Sequence, residues 1–559
     1  MGATDVATII EQVELLLAEE ILSERVEAAV QKLLNVVEAL SADKKSLADE
    51  VQRLRKLLEQ KKKDKTTGGG KGDDQQQKSS ADHSSEKRRR KFPDSKRRPS
   101  QDRRSFKDLP VHHTVECPVD PATLPPDAVR LADEIVMVQD IEIQPKNTRF
   151  QRHVFFSAAT QQTFRGPLPA GYDRGDFGAN LRALIVALKY CGNMSEPKIG
   201  EFLANFDVQV SSGSLSNILT TTARDFESDY HDVFLAGLSS TTYQQTDDTS
   251  ARVQGKFWHT HILCNPFYTL YSTRPHKDRL AVLALLQHTD EPRFRMGFET
   301  RALLQAEFLP LPKKWRAKLV ALGEVELASF ELKHLLDEWF GDRNQQLRTA
   351  LEQAAAIVYY RHQTAVPVVR TLVCDDAGQF KLLTEKLALC WIHEGRHYEK
   401  LAPVAGRHAD TLSAFQDRFW NYYATLQDYR DGPTEAWAAQ LRVNFDVLFA
   451  TRTGYEALDE WIAKSQAKRE ELLTVLSETA VPLHNNASEL GARVSARRRD
   501  VSLHSRSVRG VRAMDIFTTL VQTLKKLGRS AYAYLRARLS GGLPHPPLAH
   551  SILQAAASG

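Results

Sequence analysis

The sequence predicts a multidomain α/β protein in which one sheet carries large helical insertions and is preceded by an N-terminal coiled coil and a further helical region. Three observations carry that expectation. With 559 residues, the chain exceeds what a single hydrophobic core supports. Leu33, Leu40, Leu47 and Leu54 recur every seven residues near its start. Further along, short strand-like runs alternate with helical blocks, the order of a sheet decorated by helices rather than of an all-α bundle. A composition of 42% hydrophobic and 26% charged residues excludes a wholly disordered chain. No run is apolar enough to span a bilayer, and the acidic start Met1–Glu20 does not read as a secretory signal, so no membrane partner is expected. The five cysteines are scattered without paired spacing, as expected of reduced thiols in the cytoplasm.

The elements follow in order. Residues 1–60 read as a dimerising zipper helix: Val37, Val51 and Leu58 fill the complementary heptad position, and Lys44 is its polar insertion. Its partner would be a second copy of the chain, in a homodimer or higher oligomer. Residues 61–107 lose all periodicity and read as a disordered basic linker. Residues 61–110 hold 17 Lys/Arg against 8 Asp/Glu, while the rest of the chain holds 58 against 62. The basic character therefore belongs to one segment, suited to a solvated tether or to phosphate contact. Residues 108–175 read as a small β-rich segment with strands over Glu134–Ile143 and Arg152–Ala158. Residues 176–236 read as helical, with helices over Leu181–Tyr190, Glu196–Asn205 and Ser214–Ala223. The last two flank the turn Phe206–Ser212, with Ser211 or Ser212 as N-cap, a helix-turn-helix-like arrangement.

Residues 237–500 read as the main α/β domain. Strands are expected over Thr241–Thr246, Lys256–Leu263 and Phe267–Ser272, followed by a helix over Asp278–Gln287. A helical insertion at about 298–362 precedes strands over Val368–Cys374 and Leu387–Ile392. A second insertion at about 408–478 precedes Glu489. Residues 501–559 read as a basic, helical tail.

Chemistry concentrates at two acidic doublets at the ends of expected strands, Asp247–Asp248 and Asp375–Asp376. Carboxylates on neighbouring strands can converge on hard cations, although the same doublets also cap turns. Glu489 would complete an acidic triad. Arg493 lies one helical turn on, and Arg497, Arg498, Arg499, Arg506, Arg509 and Arg512 form a basic stretch suited to a phosphate backbone. A competing motif is His393-Glu394-Gly395-Arg396-His397, the H-E-x-x-H pattern of a zinc metalloprotease. Gly395 counts against a zinc helix there, costing about 1 kcal/mol relative to Ala.

Over most of its length the chain resembles the transposases of insertion-sequence family 66, bacterial DDE-type recombinases. The resemblance rests on the zipper, on GANLRALIVALKY and SSGSLSNIL, and on Asp247-Asp248-Thr249 with Arg252 and Trp258. It continues through LVCDDAGQF, Cys390-Trp391-Ile392-His393, Asn485-Asn486 to Glu489 and Arg493, and TLKKLGRSAYAYLRARL. It implies an RNase H-like core in which Asp247, Asp375 and Glu489 are catalytic and hold two Mg²⁺ (or Mn²⁺) ions. The implied reactions are strand cleavage and strand transfer at terminal inverted repeats, with target DNA and accessory proteins of the same element as partners and a nucleoid-associated location. Arg493, Arg497, Arg498, Arg499 and His393 are the implied DNA contacts. This branch departs from the family pattern: only Cys117 remains where members carry a paired-Cys segment, so no zinc site is expected there, and Asp248 replaces a Glu. The alternatives are a non-catalytic DNA-binding regulator, a decayed transposase, or the zinc metalloprotease.

Overall fold

The computed structural model describes residues 23–66, 110–120, 123–125, 127–173, 175–541 and 546–558. Of the expected basic linker, only residues 61–66 fall within these. Two units are distinguished: one formed by Met1–Asp73, Arg152–Glu201 and Val210–Gly559, the other by Asp74–Gln151 and Phe202–Gln209.

In the second unit, the described residues between 110 and 151 form no strand. The strand expected over Glu134–Ile143 is absent, and Ile135 and Val138 are almost fully exposed. Alternating apolar residues make a strand only where a neighbouring strand takes up their backbone groups, and none does so here. The other expected strand forms as β1 (Val154–Ser157), paired antiparallel with β2 (Gln162–Arg165).

The first unit begins with the long helix α1 (Glu24–Thr66). After the β1–β2 hairpin come α2 (Ala179–Tyr190), α3 (Glu196–Ala204), α4 (Ser212–Arg224) and α5 (Glu227–Ser239). The Ser211 side chain accepts the Ser214 N–H at 3.1 Å and so caps α4, as its sequence indicated.

The sheet follows as β3 (Tyr243–Val253), β4 (Lys256–Asn265) and β5 (Tyr268–Arg274), a continuous antiparallel meander, then α6 (Arg279–Leu286). The first insertion contains β6 (Arg293–Met296), α7 (Phe298–Glu307), α8 (Lys313–Leu322), β7 (Val325–Ala328), α9 (Ser329–Phe340) and α10 (Gln345–His362). It is helical as expected, apart from the small β6–β7 ladder. The chain returns to the sheet with β8 (Thr371–Cys374), parallel to β3, and β9 (Lys386–Leu389), parallel to β8. The strand order is β5-β4-β3-β8-β9, and β4 alone runs against the rest. The expected strand Leu387–Ile392 stops short because α11 (Trp391–Glu399) begins inside it.

The second insertion comprises α12 (Gly406–Asp431), α13 (Glu435–Phe449), α14 (Glu456–Ala467) and α15 (Arg469–Leu472). Its core forms around the fully buried Trp391, ringed by Phe419, Tyr422, Phe445 and Phe449. Next come α16 (Asn486–Ser502), α17 (Val508–Lys526), α18 (Ala531–Ser540) and α19 (Leu548–Ser558). The expected tail is therefore a structural part of the unit. Asp515, Thr519 and Thr523 of α17 accept the backbone N–H groups of Thr273, Tyr271 and Thr269 on the edge strand β5, at 2.8, 2.9 and 3.2 Å. Four helical residues rise about 6 Å and two strand residues about 7 Å, so a polar stripe at i, i+4, i+8 can satisfy every second amide of an edge.

Helix α1 presents two faces. Leu34, Asn35 and Glu38 are buried against the second insertion. Glu38 accepts the N–H groups of Val404 and Ala405 ahead of α12, and the Asn35 side-chain oxygen accepts the Glu456 N–H at the start of α14. The heptad residues Leu33, Leu40 and Leu47 instead remain 66, 63 and 67% exposed. Among the described residues, no helix is long and apolar enough to cross a membrane.

Candidate active site

Asp247 lies within β3, not at its end, because the strand runs through the doublet to Val253. The β3–β8 ladder pairs Tyr243 with Thr371 and Gln245 with Val373. Two residues further, the same register sets Asp247 opposite Asp375, just beyond the last residue of β8. Burial pushes the Asp247 carboxyl up to about 7, and the charges of Asp375, Asp248 and Glu489 add to the rise. Asp375 is raised as well, by burial first, against a hydrogen bond from the Ala377 N–H.

The third carboxylate is brought in by its helix. Asn485, almost fully buried, donates to the Thr246 carbonyl at 2.8 Å, and Ser488 donates to the Asn485 side-chain oxygen at 2.5 Å. These contacts fasten the start of α16 beside Thr246, the residue before Asp247. Glu489 follows in the first turn, where a carboxylate also meets the favourable end of the helix dipole. Gly491 allows the close approach of α16 to β4: a Cβ there would stand 2.9 Å from Ile262. From α11, His393 Nε2 and an Arg396 nitrogen each stand 3.7 Å from a Glu489 oxygen. Burial lowers the His393 pKa, favouring a neutral ring. Glu489 Oε1 and His393 Nδ1 are buried with no hydrogen-bond partner among the described residues.

The second member of each doublet is differently placed. Asp248 accepts from Gln379 at 3.2 Å and stands 3.7 Å from the Lys277 ammonium. Asp376 lies 2.9 Å from Lys381 and 3.3 Å from Lys468. Burial would raise its carboxyl, but the two lysines outweigh it and hold it below its ordinary value.

The H-E-x-x-H reading is poorly served by this geometry. Glu394, its general base, is buried, accepting the Ser465 hydroxyl at 2.5 Å and pairing with Lys468 at 2.6 Å. His397 stacks on Trp461 at 4.1 Å. Gly395 has a packing reason, since a Cβ there would meet the Trp420 ring at 2.5 Å. Cys390 Sγ, His393 and Glu489 do offer ligand atoms within 4.8 Å of one another. The Cys390 thiol, however, is pushed up to about 11 by complete burial, and its sulfur accepts the Asn485 N–H at 3.3 Å.

The arginines divide. Arg493 is half-buried on α16, while Arg497, Arg506 and Arg509 are exposed. Arg498, expected to face DNA, points inward: it donates to the Tyr190 carbonyl at 2.9 Å and to Thr518, with its guanidinium over the Tyr190 ring. Arg499 is bound to Ser250, and Arg512 forks onto Glu227. Sequence reasoning overlooked the positioning roles of Asn485 and Ser488, although their spacing, one helical turn and one residue before Glu489, was a usable signal. Lys468 carried no such signal, being 92 residues from its partner Asp376.

A model of the Transposase IS66 family matches residues 349–513, the stretch from α10 to α17 that includes Asp375 and Glu489. The uncharacterized protein y4jO of Sinorhizobium fredii (strain NBRC 101917 / NGR234) is 32% identical over 314 residues, which span 54% of this chain and 94% of that protein. No solved structure matches the chain significantly. The chain belongs to the IS66 transposase family.

Proposed function

We propose that this chain is a DNA transposase of a bacterial insertion sequence, which cleaves and rejoins phosphodiester bonds at the element's terminal inverted repeats. The observation that carries the reading is the convergence of three carboxylates from separate elements: Asp247 from β3, Asp375 after β8 and Glu489 from α16. The strand order, with β4 alone reversed and the aspartates within β3 and just beyond the adjacent β8, supports an RNase H-like core.

The residues fit two hard divalent cations, Mg²⁺ or Mn²⁺. The three carboxylates are half-buried, the charges of Asp375 and Glu489 bear on Asp247, Glu489 retains an unpartnered oxygen, and oxygen donors suit such ions. Bound there, the cations would activate the attacking oxygen and neutralise charge on the leaving oxygen of an in-line displacement. The chain supplies the rest. Asn485 and Ser488 hold Glu489 in register with Asp247, and Lys381 and Lys468 keep Asp376 turned to a different partner. Arg396 and His393 border Glu489 on the side of α11. The protonated, buried thiol of Cys390 favours the carboxylate set over a soft metal.

The exposed face of α4, with Ser212, Ser216, Asn217, Thr221 and Arg224, suits DNA contact. The exposed heptad residues of α1, Leu33, Leu40, Leu47 and Leu54, support self-association, while Val37 of the complementary position packs beside Leu34. In the test, purified protein is incubated with Mg²⁺ and DNA carrying the inverted repeats that flank the gene. Strand cleavage by wild type, lost in Asp375→Asn with DNA binding retained, is the expected result. Binding without cleavage by the wild type would instead support a regulator or a decayed enzyme.

A further inference from the structure

At the far end of β3 from the carboxylates lies a cleft of about 840 Å³, lined by α2, α4, the end of β3, the end of α16 and the start of α17. Five cations and one carboxylate line it. The carboxylate, Glu196, is already within 3.7 Å of Lys189, and Arg498 is spent on Tyr190 and Thr518. Arg499 is likewise held by Ser250, which leaves Arg252 and Arg506; none of the three has a carboxylate within ion-pair distance among the described residues. The cleft therefore carries uncompensated positive charge.

Its rim is unusual in a second way. Leu503 ends α16 with φ +51°, a positive value that a bulky residue adopts only under constraint, and its side chain is 69% exposed. The constraint is visible. The Ser505 N–H donates to the Arg252 carbonyl and the Ser505 carbonyl accepts the Gln254 N–H, both at 2.9 Å, so the strap after Leu503 is stitched to the β3–β4 hairpin. On that hairpin Phe257 lies opposite Arg252, 68% exposed, with the guanidinium 4.8 Å from its ring centre. Two apolar side chains thus stand in solvent beside arginines that lack a counter-charge. Cationic grooves with apolar or aromatic platforms are how proteins hold unpaired nucleotides.

Two rulers join the cleft to the carboxylates. Asp247 to Arg252 along β3 is about 17 Å. Glu489 to Arg499 along α16 is about 15 Å. At about 3.4 Å per stacked nucleotide, either distance spans roughly five nucleotides or fewer. The cleft's volume lies within the range of about 300–1,000 Å³ typical of small-ligand sites, enough for a nucleotide or two and too small for a duplex.

Resting on the transposase reading, we infer that this cleft receives the single-stranded DNA leading away from the phosphate under attack. Arg252 and Arg506 hold its backbone, and Leu503 and Phe257 stack against its bases. The element's end is thus bound frayed, not fully paired.

The test uses the full chain in Ca²⁺ and two fluorescent duplexes of equal length, one blunt and one with an oligo(dT) overhang of about five nucleotides carrying 2-aminopurine. Wild type should bind the overhang probe about tenfold more tightly than the blunt one and change its 2-aminopurine signal. R252E/R506E should erase the preference, and Leu503→Ala with Phe257→Ala should erase the fluorescence change. Equal wild-type affinity for both probes, or a preference unaltered in R252E/R506E, would overturn the inference. Cleavage of element ends by a protein without overhang preference would refute the cleft alone. Overhang preference in a protein that cleaves nothing would refute the transposase reading and keep the cleft.

Discussion

Asp247–Asp248, within β3, and Asp375–Asp376, just beyond the adjacent β8, are the same dipeptide, yet the members of each pair keep different company. Burial comes first for both: it raises Asp247, with the charges of Asp375, Asp248 and Glu489 adding to it, and it raises Asp375, with those of Asp248 and Asp376 adding. Asp248 and Asp376 turn to lysines, and Asp376 is held below its ordinary value. The contrast separates groups arranged to be charged only with help from those already neutralised. Uncompensated carboxylates cost stability and persist where a ligand repays them.

The largest effect that could break this contrast is catalytic. Asp247→Asn, Asp375→Asn and Glu489→Gln should each lower Mg²⁺-dependent DNA cleavage by about 10⁴-fold or more, about 5 kcal/mol of barrier. Retained cleavage in any of them would remove that residue from the centre. Next in size is Lys468, which serves both Asp376 and the buried Glu394. Lys468→Met leaves a buried carboxylate unpaired and should cost about 3–5 kcal/mol in urea unfolding. An unchanged midpoint would show that the pair is not structural. Gly395→Ala, forcing a methyl against Trp420, should cost about 1–3 kcal/mol, also measured by urea.

A smaller effect concerns pH. Asp247 has a folded pKa of about 7, above the value of about 3.9 for an unperturbed Asp, so its contribution to stability is complete below about pH 4 and is lost as pH rises through about 7. Without divalent ions the protein should therefore melt lower at pH 8 than at pH 5. Asp515, also pushed up to about 7, loses stability over the same window, so the difference between wild type and Asp247→Asn isolates the first group. Asp247→Asn should flatten the profile, and an identical slope would contradict the assigned environment. Smallest of all, Lys277→Ala removes a half-exposed partner of Asp248 and should change stability by no more than about 1 kcal/mol.

Much of this arrangement was legible in the sequence, for identifiable reasons. Ser211 or Ser212 announced the start of α4, and Ser211 accepts the expected backbone N–H. The doublets and Glu489 stood out as acidic residues, and the family resemblance, not their spacing, singled out Asp247 and Asp375 within them. The reach of β3 was not legible, because two aspartates disfavour a strand, although the alternation Thr249, Ala251, Val253 continued beyond them. The apolar residues of Glu134–Ile143 gave a strand-like pattern without a partner strand to realise it. The 501–559 segment read as a basic tail because its charge was counted and its spacing was not: Asp515, Thr519 and Thr523 already formed the stripe that covers β5. Arg498 turned inward because Tyr190, more than 300 residues away, offers a carbonyl and a ring. No local pattern encodes such a contact.

The contrast between the doublets is tested most directly by measuring Mg²⁺-dependent cleavage of the element's ends by Asp247→Asn, Asp248→Asn, Asp375→Asn and Asp376→Asn side by side. Cleavage should fall to background in the first and third while the second and fourth still cut. A dead Asp248→Asn or Asp376→Asn beside an active neighbour would contradict the assignment of the centre.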